Sequence, residues 1–475
     1  MPDRLSAREI SLLAADSQHT PVHAASLDVF EAPHDFTMDR VVDLISDRLA
    51  YVPRYRKLVR TVPASIAAPV WVDDEDFDLS FHVRRSALPR PGTEQQLLEF
   101  AGRVVARKLD HDRPLWEAYL VEGLQSPDPD RQRFALVTKT HLALVNGVDD
   151  VDLCQVLFDD TPHVEPLIGG EWRPESEPSS GQLLVDAVVE AFVDPRSAVD
   201  TVKRQATEVI GLAVNVGEAV GGVGSVLSEV AGNLLRGGRA PVDSPLSGWV
   251  SSQRRVAVAE IDLEQVRALH EAHQVTVNDI VLTVLTGALR LWLTGRGDER
   301  RRDLVAMVPM SVPDMDGQPT SLGSRVAPHL MTLPLGEADP LMRLHQVAYG
   351  TRAHTDTGRT VGARDLIDIA GFAPGTLHAL AGRVAGEVMR RQHDVVVSNA
   401  PGPQRALYAA GARLIASYPV QPLSPGHLLA IGVTSYQGRI FIGFTADRDQ
   451  LGDVDQLAAC VPEAVAELLA TQESQ

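Results

Sequence analysis

"VTKTHLALVNGVDD", residues 137–150, is an apolar run that presents one histidine, turns at Asn146-Gly147 and enters an acidic stretch. With the residues before it, "RFALVTKTHLALV" (133–145) reads as a buried strand. Neighbouring side chains in a strand point to opposite faces. On that register His141 shares a face with Lys139 and Ala143, while Leu142 looks the other way. Beyond Gly147, Asp149, Asp150 and Asp152 precede Leu153, Val156 and Leu157. Acids in a first turn complement the helix dipole, so a helix is expected to start there. One histidine beside a sharp turn suggests an active site, because imidazole titrates near neutral pH.

Outward from this stretch the chain is mixed α/β. Residues 23–33 and 114–124 have strand character, and 94–110 form an amphipathic helix. A second helix over 38–52 places Val42, Leu44, Ile45 and Leu49 on one face. A Pro/Ser/Glu-rich loop follows at 169–182, and residues 183–236 read as helical. There Val216, Val220, Val223, Leu227, Val230 and Leu234 form one apolar stripe, which packs on the protein's own domains or lies on lipid. After a linker at 236–249 the pattern over 254–293 is strand, helix, turn and long helix, with Asn278 or Asp279 as a candidate N-cap. Further strands are expected at 303–313, 393–403 and 438–447. This divides the chain into a domain over 1–168, a linker with amphipathic helices over 169–250, and a domain over 251–475.

Composition narrows the function. At 475 residues two or more cores are expected. A net charge of −19 argues against an electrostatic grip on nucleic acid or on an anionic membrane. It also gives no help in attracting an anionic cosubstrate, which local arginines would have to hold. Two cysteines, Cys154 and Cys460, with no CxxC spacing, suggest a reducing compartment and no cysteine metal site. The first residues lack the apolar core of a signal peptide, and nowhere do eighteen apolar residues run together. A soluble or peripheral cytoplasmic protein is expected, with attachment at a membrane or lipid droplet left open.

"HLALVNG" (141–147) resembles the HHxxxDG signature of the acyltransferase superfamily that includes bacterial wax ester synthase/diacylglycerol acyltransferases and peptide-synthetase condensation domains. "SLLAADSQHTPVHAASLDVFE" (11–31), "RPLWEAYLVEGL" (113–124), "TVNDIVLTVLTGALRLWL" (276–293) and "MVPMSVP" (307–313) are similar to the wax ester synthase branch in order and spacing. So are "LGSRVAPHLMTLPLGEADPLMRL" (322–344), "SNAPGP" (398–403) and "LYAAGARLIASYPVQPL" (407–423). The resemblance covers nearly the whole chain. It implies an α/β fold of two chloramphenicol-acetyltransferase-like domains, each a mixed sheet with flanking helices, and a tunnel between them. It also implies transfer of a long-chain acyl group from acyl-CoA, a co-substrate and not a resident cofactor, to diacylglycerol or a fatty alcohol. Trp116, Asn278, Asp279, Arg325, Ser398 and Asn399 fall in motifs that the resemblance places along the tunnel. Trp116 also reads as ordinary core, and Asn278 and Asp279 as caps.

The sequence departs at the motif from the family it resembles. The family's second histidine is the base, and its counterpart here is Leu142; the aspartate's counterpart is Asn146. Only His141 and Gly147 keep the pattern. An unbroken strand does not bring His141 into the vacant place unless it bulges or has already ended. Two functions therefore stay open: an O-acyltransferase with weak or unusual base chemistry, or a silent homologue that binds acyl-CoA or lipid or regulates a sister enzyme. A condensation-type enzyme is a third, further from the flanking motifs. "HAASLD" at His23 spells HxxxxD by chance, since it begins a strand, and His329, His393 and His427 receive no role. No GxSxG, Walker or HExxH pattern is present, and no metal is expected.

Overall fold

In a computed structural model the described residues are 3–63, 67–145, 152–163, 172–183, 244–297, 302–312, 325–355 and 393–472, with Val185 and Val189. The first lobe runs β1 (Asp3–Arg4), α1 (Ala7–Ala15), β2 (His23–Pro33), α2 (Asp39–Arg48), β3 (Lys57–Arg60), β4 (Val70–Asp73), α3 (Leu79–His82), β5 (Val83–Ala87), α4 (Glu94–Val105), β6 (Trp116–Leu124), β7 (Arg131–His141) and α5 (Leu153–Leu157). The second half runs β8 (Arg254–Asp262), α6 (Leu263–His273), α7 (Val277–Gly295), β9 (Leu304–Val312), β10 (Arg325–Leu333), α8 (Pro340–Thr355), β11 (Val395–Ala400), β12 (Tyr408–Ala409), β13 (Ala412–Val420), β14 (Leu429–Tyr436), β15 (Arg439–Asp447) and α9 (Val454–Leu469). The valine stripe of 216–234 lies outside the described residues.

The helices begin where their caps dictate. Ser6 with Glu9, Thr93 with Gln96 and Thr276 with Asp279 form reciprocal capping boxes at α1, α4 and α7. The cap of α7 is thus Thr276, a correction to the candidates Asn278 and Asp279; Asp279 closes the box from the third helical position. By length and composition α7 is apolar enough to cross a bilayer, yet 72% of its most apolar 18-residue stretch is buried inside the protein, where the helix packs against α6, α8 and α9.

Two six-stranded mixed sheets carry the lobes, in the orders β12-β13-β2-β7-β6-β5 and β10-β9-β11-β14-β15-β8. The expected division at residue 251 misses an exchange: β12 and β13, late in the chain, complete the first sheet beside β2. In crossing over, β13 lays Pro419 against the paired glycines Gly432 and Gly443 of β14 and β15. A Cβ at 443 would stand 1.9 Å from the Pro419 carbonyl oxygen. Each lobe has its own apolar core, but Val256, Tyr436 and Phe441 of the second half belong to the first core. The Tyr436 hydroxyl ties the seam by accepting from Leu407 N–H at 2.9 Å and donating to Leu414 C=O at 3.1 Å.

A buried carboxyl sits in the same seam. Asp28 of β2 faces Ser417 of β13 and accepts from the hydroxyls of Ser417 and Ser26, each at 2.6 Å. Burial dominates these bonds and raises its pKa to about 6. A carboxyl whose folded pKa is raised binds its proton more tightly in the native state. Its contribution is therefore full below the unfolded value near 4 and is lost as pH rises to about 6. Asp28→Asn is expected to remove a stability loss on the order of 3 kcal/mol over that interval. Urea midpoints of both proteins between pH 4 and 7 test this; parallel pH profiles would contradict it.

Candidate active site

β7 ends at His141, where a strand to 145 was expected, and residues 142–145 form a turn. Leu142 N–H closes on Val22 C=O at 3.1 Å, and Leu144 N–H returns to His141 C=O at 2.9 Å. The imidazole completes the stop: Nδ1 of His141 accepts from Ala143 N–H at 3.0 Å, a side-chain bond that competes with the ladder. Alternation therefore stops at His141, and Ala143 does not continue its face. Leu142 is 1% exposed and packs in the first core. Asn146 and Gly147, with Asp149 and Asp150, lie outside the described residues. The helix expected after the motif is α5, capped by Asp152, which accepts from Cys154 N–H at 2.9 Å.

His141 is fully buried, and burial lowers its imidazole pKa despite the opposing charge of Asp16. Because Nδ1 accepts a backbone N–H, the proton of the neutral ring sits on Nε2. That atom faces Asp16 Oδ2 at 3.7 Å, too far for a full hydrogen bond. Asp16 gathers the surrounding donors. Its Oδ1 accepts from Val22 N–H at 2.8 Å, and its Oδ2 lies 2.6 Å from His111 Nε2 and 3.4 Å from Lys108 Nζ. Burial alone would raise its pKa, but the imidazoles of His111 and His141 outweigh it and hold Asp16 well below the ordinary carboxylate range. Deeper on this face Lys139 pairs with Glu117 at 2.9 Å and donates to Arg107 C=O, and His23 Nε2 donates to Val105 C=O at 3.0 Å.

Asp16, His111 and His141 offer the donor set of a divalent metal, with ligand atoms within 4.8 Å of one another. They do not fit one. His141 Nε2 carries the proton that a metal would have to displace, and the Lys108 ammonium already stands beside Oδ2.

The other expected residues are spread around the seam. Trp116 is buried at the start of β6, donates from Nε1 to Tyr55 C=O at 2.7 Å and stacks on His82. Asn278 accepts from the Asn399 amide at 2.8 Å, joining the start of α7 to β11. Asp279 is buried and accepts from the Thr351 hydroxyl at 2.5 Å, which commits both of its oxygens within the second lobe. Ser398 is buried in β11. The backbone of Arg325 opens β10, but its side chain lies outside the described residues. A cleft of about 440 Å³ between α4, β8 and α9 is rimmed by Glu94, Glu260 and Asp455, away from the motif turn. No sequence motif singles out Asp16 or His111. The histidine three residues before "PLW" was the one available signal, and only folding shows that it meets Asp16.

Residues 5–281 match the model of the wax ester synthase/diacylglycerol acyltransferase catalytic domain, and residues 322–469 match the WS/DGAT C-terminal domain. The chain belongs to this family. It is an acyltransferase by that membership, and the family acts on acyl-CoA. A Mycobacterium tuberculosis (strain H37Rv) protein named "Probable diacyglycerol O-acyltransferase tgs1" is 31% identical over 461 residues, 95% of this chain and 92% of the relative. A second, tgs3 of the same strain, is 38% identical over 270 residues, 57% of this chain and 96% of the relative. The wax ester synthase/diacylglycerol acyltransferase of Marinobacter aquaeolei VT8 superposes with a TM-score of 0.66 at 25% identity, covering 99% of this chain and 100% of that one. The first condensation domain of the calcium-dependent antibiotic synthetase shares the fold, with a TM-score of 0.54 at 14% identity over 99% of this chain and 96% of that one.

Proposed function

We propose that this chain moves a long-chain acyl group from acyl-CoA to diacylglycerol or a fatty alcohol, forming triacylglycerol or wax ester, with transfer slowed at Leu142. The family match across both halves carries this reading. The chemistry needs no covalent enzyme intermediate, since a thioester is already activated. The acceptor hydroxyl must lose its proton as its oxygen attacks the thioester carbonyl, and leucine cannot take it. His141 is poorly placed to substitute, because Ala143 occupies its one lone pair and the ring is buried. General-base catalysis is worth about 10²–10⁴ in rate, roughly 3–5 kcal/mol. Holding thioester and hydroxyl together can contribute more, so slow transfer survives loss of the base. Work on such apolar acceptors favours a cytoplasmic protein that meets its substrates at a membrane or lipid-droplet surface. A second reading, a silent acyl-CoA or lipid binder that regulates a sister enzyme, is favoured by the same occupied imidazole. Purified protein with palmitoyl-CoA and either diolein or hexadecanol separates the two, with free coenzyme A and ester both followed. Slow ester formation is expected. Tight acyl-CoA binding without ester would establish the silent reading, and neither binding nor ester would sink both.

A further inference from the structure

Of the imidazoles around the motif turn, one combines an orienting carboxylate with access to solvent. His111 holds Nε2 at 2.6 Å from Asp16 Oδ2, while its side chain is 36% exposed. The carboxylate is 1% exposed and kept ionised by its neighbours, so it fixes the His111 proton on Nε2. The lone pair is then left on Nδ1, which no described residue engages. The His111 ring lies edge-on to His141, 5.8 Å between centroids, and His141 directly precedes Leu142. His23 and His141 lack this freedom: both are fully buried, His23 is tied to Val105, and His141 is tied to Ala143. Lys108, on the same carboxylate, is an ammonium with no lone pair to offer.

We propose that His111, oriented by Asp16, is the proton acceptor this chain uses in place of the base missing at Leu142; the inference rests on the acyl-transfer reading above. In the step, the acceptor O–H gives its proton to His111 Nδ1 as its oxygen bonds to the thioester carbonyl carbon. The C–S bond then breaks, and the departing coenzyme A thiolate takes the proton from His111. An imidazole held by a buried carboxylate is the arrangement that general-base chemistry requires.

The test compares wild type with His111→Ala in steady-state transfer from palmitoyl-CoA to diolein, without and with added imidazole. The variant is expected to lose about 10²-fold in kcat at unchanged KM, and free imidazole should restore part of the loss. Unchanged kcat, a loss confined to KM, or a kcat loss that imidazole does not restore overturns the role of His111 and leaves acyl transfer standing. Absence of ester from wild type also overturns it. The Leu142→His, Asn146→Asp protein then judges the underlying reading: ester from that variant keeps the acyltransferase assignment, and none removes it as well.

Discussion

The double substitution Leu142→His, Asn146→Asp is expected to raise ester formation from palmitoyl-CoA and diolein by about 10²–10⁴-fold, the usual worth of a positioned base. The backbone that would carry the new imidazole is already held on both sides. Leu142 N–H is bonded to Val22, and Ala143 N–H is bonded to the His141 ring. The substitution therefore changes the chemistry of the side chain at a site whose main chain is fixed. If His111 already accepts protons, the gain falls towards the lower end of that range. The exchange costs stability, because a leucine that is 1% exposed gives up roughly 1.5–3 kcal/mol of apolar burial. Ester and coenzyme A release, read beside the thermal midpoint, separate gain of chemistry from loss of fold. A folded variant that transfers no faster would mean that the acyl donor and acceptor do not meet beside residue 142.

Gly443→Val is expected to abolish soluble, folded protein, and Gly443→Ala to lower the thermal midpoint by about 10 °C or more. The reason is backbone against backbone. A Cβ at 443 would lie 1.9 Å from Pro419 O and 3.0 Å from Pro419 C, and no rotamer moves a Cβ. β13 would have to lift off β15, and β13 is the strand through which the second half of the chain completes the first sheet. Lifting it also parts the Asp28–Ser417 bond and strips cover from the first core. Gly295→Ala is the control, since a Cβ there meets nothing within 4 Å and alanine favours a helix. Solubility, size-exclusion profile and thermal midpoint suffice as measurements. A Gly443→Ala protein as stable as the control would show that the seam is looser than its contacts indicate.

Much of the local structure was legible without coordinates. The strand at 23–33, the body of the one expected over 114–124, the helix from Glu94 and the strand–helix–helix run expected over 254–293 follow from apolar periodicity and capping residues, which act between neighbours along the chain. The structure starts the second strand at Trp116 and carries the last helix to Gly295. The family was legible for a related reason, because its motifs are short and recur in a fixed order. The change of the expected base to Leu142 is likewise a fact of residue identity that no structure can alter.

The arrangement that gives this change its consequences belongs to the tertiary structure. Periodicity carried the motif strand to Val145, whereas a bond between the His141 ring and Ala143 N–H ends it four residues earlier. Nothing local joins Asp16 to His111, 95 positions apart, or Asp28 to Ser417, 389 apart. Residue identity and spacing along the chain determined which elements form and which chemical groups are on hand. Contacts between distant segments, made only when β13 crosses the seam and α4 docks beside the motif, decided which of those groups are buried, paired or left with a lone pair. The physical reason is that burial and hydrogen-bond geometry are properties of neighbours in space, and these neighbours are remote in sequence.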